Sequence, residues 1–136
     1  MAKKRLSKKH NKNNKKVDKK VEITTNHASL CALAPVIRDK NVFEPIHINV
    51  KIPQKKLLYS PTDKLVFLTL GIMSGIQSVY DINYILRIDK ALLNAFGYDK
   101  CADQSVIQET LNAVTEDNIS QMESALKTIW EQNNLS

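Results

Sequence analysis

The sequence predicts an all-α fold, a small bundle of five to six short helices preceded by a disordered basic arm. Three observations predict it. Helix-starting residues stand ahead of apolar residues at helical spacing four times, at Ser60-Pro61, Asp89, Asp103 and Thr115. The hydrophobic share of 43% is enough for an ordinary interior in a chain of 136 residues, which suits one compact domain. Strand-like alternation occurs once, in residues 42–52, where Pro45 and the following Pro53 argue against a central strand.

Taken in order, residues 1–20 form the arm, and residues 21–136 form the helical domain. The arm combines many charges with Asn and few apolar side chains, so it cannot bury enough surface to offset the entropy of ordering. Residues 26–37, NHASLCALAPVI, place Leu30, Leu33, Ala34 and Ile37 on a helical stripe. Asn26 or Ser29 is the expected cap, and Pro35 either kinks this helix or starts a second turn. Residues 42–52, VFEPIHINVKI, read as an irregular, partly extended crossing with one edge strand, with Ile46, Ile48, Val50 and Ile52 on one side.

Ser60, Pro61 and Asp63 make the clearest helix start: a hydroxyl for the free amides, a proline at the first helical position and a carboxylate at the positive end of the dipole. The helix is expected over residues 64–77, apolar nearly all round and therefore central. Residues 78–87 read as an amphipathic helix with Val79, Ile82, Ile85 and Leu86 inward. Asp89 caps residues 90–96, which Gly97 ends, and Asp103 caps residues 103–114. Thr115 caps residues 116–131, whose buried side is expected to be Ile119, Met122, Ala125, Leu126 and Ile129.

The formal charge of +6 is unevenly placed. Lys3, Lys4, Arg5, Lys8, Lys9, Lys12, Lys15, Lys16, Lys19 and Lys20 face a single acid, Asp18, in the arm, whereas residues 21–136 carry a net −3. Such an arm suits salt-sensitive, largely sequence-independent attraction to nucleic-acid phosphates; a solubilising or localisation segment is the alternative. With Cys31 and Cys101 alone and no apolar run in the first twenty residues, the expected location is intracellular and reducing, in the cytoplasm with the nucleoid. The longest uncharged run, sixteen residues between Lys64 and Asp81, is short for a membrane span.

Residue patterns that carry chemistry are sparse. No Gly-flanked nucleophile accompanies a His and an Asp, His10, His27 and His47 lack ligand-like spacing, and Gly71, Gly75 and Gly97 build no phosphate loop. The acids Asp63, Asp89, Asp103 and Asp117 sit at helix starts, where capping accounts for them. Gly71 and Gly75 have the small-xxx-small spacing of close helix packing, read as packing within the bundle. Residues 90–96, a Gly-containing connection and a helix opening Gln104-Ser105-Val106-Ile107-Gln108 are similar to a helix-turn-helix. In that reading Gln104 and Gln108 pair with adenine and Ser105 meets a base or a phosphate; plain helical packing is the alternative.

Several of these blocks, in this order, resemble the N-terminal region of bacterial DDE-type insertion-sequence transposases over residues 27–133. They are YSPTDKL at 59–65, Gly71–Gly75, YDIN at 80–83, ALLNAFG at 91–97, CADQSVI at 101–107 and LNAVTEDNI at 111–119. The resemblance implies a helical domain that binds double-stranded DNA at the element's terminal repeats. A following RNase H-like domain would supply three carboxylates for two divalent metals. The sequence stops at Ser136 ahead of such a frame, so the expectation is a truncated, non-catalytic product with no cofactor, to which no catalytic Asp or Glu is carried over. The resemblance also makes the Gly71–Gly75 helix and the last helix candidates for self-association. The rival reading is a helical interaction or dimerisation protein whose arm only aids solubility.

Overall fold

The computed structural model describes residues 24–55 and 58–133. Its elements are α1 (Ala28–Asp39), α2 (Glu44–Asn49), α3 (Pro61–Met73), α4 (Lys90–Ala95), α5 (Gln104–Ala113) and α6 (Glu116–Asn133). Between α3 and α4 the chain makes a 3-10 turn, Val79–Asp81, and a wide π turn, Ile82–Leu86. Among the described residues there is no strand, so the all-α expectation holds. No helix among them is long and apolar enough to cross a membrane.

Most helix ends follow local side-chain chemistry. Ser60 Oγ accepts from the Asp63 amide at 3.1 Å while the Asp63 carboxylate accepts from the Ser60 amide, a reciprocal cap with Pro61 at the first position. Asp89 caps α4 through the Leu92 amide, Asp103 caps α5 through the Ser105 amide, and Thr115 Oγ1 accepts from the Asn118 amide at the start of α6. Gly97, at φ +87°, follows the end of α4 as expected.

Elsewhere the structure corrects the sequence reading. Residues 44–49 are helical, because Pro45 sits in the first turn, where a missing amide costs nothing. Ile46 and Val50, four residues apart on one helical face, are buried, as is Ile52 beyond them, whereas Ile48 points to solvent. Helix α1 runs uninterrupted through Pro35, and neither Asn26 nor Ser29 caps it: His27 holds that position without a side-chain capping bond. Leu33 is exposed, while Leu30 and Ala34 are buried and Ile37 packs, partly buried, against the core. Helix α3 stops at Met73, and Gly75, at φ +92°, lies in the turn beyond it. Of Gly71 and Gly75, only Gly71 is in a close contact, where an added Cβ would lie 2.8 Å from Ile76 Cδ1.

The segment 78–87 is not one α-helix. The Asp81 carboxylate accepts from the Gln77 and Ser78 amides and tightens the first turn, and the Arg87 amide then reaches back five residues to the Ile82 carbonyl. That widening still sends Ile82 and Leu86 fully inward.

The main core gathers Leu30 and Ala34 of α1, Val66, Phe67 and Leu70 of α3, Ile82, Leu86, Leu92, Leu93 and Ile107. A smaller one joins Ile46, Val50, Ile52 and Ala125 between α2 and α6, and Phe43 packs against both. On α6 the inward residues are Asn118, Met122, Ala125 and Ile129, whereas Ile119 and Leu126 are exposed, contrary to expectation. The helix is rotated because Asn118 is fully used inside: its Oδ1 accepts from the Thr115 amide at 2.9 Å, and its Nδ2 donates to the Lys51 carbonyl at 2.7 Å. Four bonds to one buried amide fix the turn of α6 against the segment after α2.

Asp89 ties the start of the described chain to α4. Its Oδ2 accepts from Thr25 Oγ1 at 2.6 Å and lies 3.1 Å from His27 Nδ1, while His27 Nε2 lies 3.1 Å from the Ser74 carbonyl. Burial disfavours its charge, but hydrogen bonds from Thr25, the Leu92 amide and His27, with the His27 charge, outweigh it and hold the carboxyl below its ordinary value. A depressed folded-state value means that this contribution is complete above the unfolded carboxylate value of about 4 and is lost as pH falls through the folded one. Urea midpoints measured from neutral pH into acid are expected to fall less steeply for Asp89→Asn than for the parent chain. Identical acid limbs would show that Asp89 contributes nothing to them.

Candidate nucleic-acid interface

The site begins with the Asp103 cap, which fixes where α5 starts and therefore which side chains face outward. Asp103 Oδ1 accepts from both the amide and the hydroxyl of Ser105, at 2.9 and 2.8 Å. Its Oδ2 meets Arg87 Nη1 at 3.0 Å. The Ser105 bonds, then the Arg87 charge, hold the Asp103 carboxyl below the usual range. Arg87 also donates through Nε to the Cys101 carbonyl, and Asn83 Oδ1 accepts from the Gln104 amide at 3.1 Å. The first turn of α5 is thereby fastened to the π turn.

Ile107 and Thr110 of α5 are buried, so the opposite face, Ser105, Gln108, Glu109 and Asn112, meets solvent, with Gln104 half-buried at its edge. Gln104 and Gln108 are one turn apart, so they line the same side of the helix. Gln108 Nε2 donates to Asn112 Oδ1 at 3.0 Å, an exposed bond that water or a base edge replaces at small cost. Helix α5 has no Lys or Arg, and its packing neighbours are α3 and the Val79–Asp81 turn; those of α4 are α1 and the π turn. The three sequence-predicted residues of the helix thus share one surface, offering amide and hydroxyl groups rather than positive charge. The ten basic residues of the predicted arm, from Lys3 to Lys20, lie outside the described residues.

Beside this surface is an open cleft of about 660 Å³ lined in part by Gln54, Tyr59, Lys64, Arg87, Cys101 and Val106. Burial pushes the Cys101 thiol up to about 12, and Asp103 adds to the effect, so the sulfur stays protonated and poorly nucleophilic at neutral pH. Among the described residues no three His, Cys, Asp or Glu side chains come together as a metal site. No match was found among protein-family models, curated proteins or solved structures.

Sequence reasoning missed the Asn83–Arg87–Asp103 link and the burial of Lys64. Lys64 was legible in principle: it precedes Phe67 and Gly71 by three and seven residues, on the stripe that the bundle buries.

Proposed function

We propose that this chain binds double-stranded DNA, as the end-recognition domain at the N-terminus of a DDE-type transposase. The observation that carries the reading is the pairing of two chemistries. Ten cations lie within the first twenty residues, and an ordered helix start presents Gln104, Ser105 and Gln108. Phosphate attraction from the cations supplies affinity without sequence preference, and amide side chains on a helix that enters the major groove supply the preference. Helix α4, residues 96–103 and α5 form the helix-turn-helix-like unit of this reading, with α5 held by α3 and by Arg87. The resemblance of the ordered motifs to the transposase N-terminal region supports the same assignment.

The test is a gel-shift series against the terminal-repeat duplex of an insertion sequence and a scrambled duplex. The chain is expected to prefer the first, and the double variant Gln104→Ala, Gln108→Ala to lose about tenfold or more of that preference at a site where each bidentate contact is worth about 1–3 kcal/mol. An unchanged preference in the variant removes α5 from base reading.

One observation favours self-association as a second reading. Ile119, Leu126 and Trp130 are exposed along one side of α6, where Ile119 and Leu126 line a small groove walled by Leu65, Leu111 and Val114. Sedimentation of the chain without DNA, giving a monomer at micromolar concentration, would remove that reading.

A further inference from the structure

Lys64 is 4% exposed, yet it lines the cleft beside α5. Among the described residues its ammonium has one hydrogen-bond partner, Gln54 Oε1, at the long distance of 3.5 Å, and that oxygen already accepts from Thr110 Oγ1 at 2.6 Å. No ion pair among the described residues involves Lys64. With its one acceptor neutral and shared, the ammonium has two of its three donors without a partner among the described residues. An apolar side chain of similar length would fill this position on α3 at lower cost.

The cleft holds more charge than Lys64 alone. Lys55, Lys90 and Lys100 also line it, against Asp99 and Glu109, while Arg87 and Asp103 pair with each other. The balance at the cleft therefore stays positive. Its walls are largely apolar, with Leu58, Ile88 and Val106 among them. Its volume of about 660 Å³ is that of a small-molecule site rather than of a single ion. We propose that the cleft binds a small organic phosphate monoester, its charged oxygens on Lys64 and the Gln54 amide and its apolar body against the walls. This site stands apart from the duplex-binding reading and does not need it.

Phenyl phosphate, inorganic phosphate and benzyl alcohol are titrated separately into the full chain, with calorimetry and thermal unfolding as readouts. Phenyl phosphate is expected to bind at least about tenfold more tightly than either fragment, because only it engages both the ammonium and the apolar walls, and to raise Tm in proportion to occupancy. Lys64→Met is expected to lose that binding about tenfold or more while unfolding at a higher temperature than the parent in buffer alone. Lys100→Gln, at an exposed position, guards against misfolding in the first variant and should weaken binding by a smaller factor. A hydroxyl-ended duplex should leave phenyl phosphate affinity unchanged. The proposal is overturned if phenyl phosphate binds no better than inorganic phosphate, if folded Lys64→Met binds it as well as the parent, or if the duplex displaces it.

Discussion

Phe67→Ala is expected to lower the free energy of unfolding by about 4 kcal/mol, the middle of the range for a buried aromatic ring cut back to a methyl group. The ring has no exposed surface and lies on α3 within the main core. It meets Tyr59 edge-on at a centroid distance of 5.3 Å and Tyr98 at 4.7 Å. Both neighbours have further duties. Tyr59 precedes the Ser60 cap, and the Tyr98 hydroxyl donates to Asp63 Oδ1 of that same cap at 3.3 Å. The cavity left by the ring therefore loosens the N-terminus of α3 together with the connection that leads to α5. A domain of this size is stable by about 5–15 kcal/mol, so a loss of this order takes a large share. Urea unfolding checks it, with Trp130→Ala as the control: at 71% exposure that change is expected to stay within about 0.5 kcal/mol. A loss at Phe67 no larger than at Trp130 would place the ring outside any cooperative core.

What the sequence made legible was mostly local. Ser60 with Asp63, Asp89, Asp103, Thr115 and Gly97 each act within a few residues, so the side-chain chemistry that starts or ends a helix can be read from neighbours in the chain. The start of α5, and with it the common placement of Gln104, Ser105 and Gln108, was readable for that reason. Facing was less legible. The α6 pattern suggested Ile119 and Leu126 inside, but the inner position went to Asn118, whose partner is the carbonyl of Lys51, 67 residues away. The alternation of Ile46, Ile48, Val50 and Ile52 suited a strand until the helix-compatible placement of Pro45 and the pocket for Ile46 and Val50 decided otherwise. Likewise the His27–Asp89 contact and the Lys64–Gln54–Thr110 chain join residues whose proximity is set by packing, not by spacing.

The charge of residues 1–20 is a property of composition, and its consequence is measurable directly. The affinity of the full chain for a random duplex is determined at 50 and 200 mM salt, beside a variant with all ten Lys and Arg of that segment changed to Gln. Engagement of six to ten phosphates predicts that the parent loses about 10³- to 10⁵-fold in affinity over this range and that the variant shows a nearly flat, weak response. No duplex binding by the parent at 50 mM salt, or equal salt slopes for the two chains, would contradict the DNA-binding account.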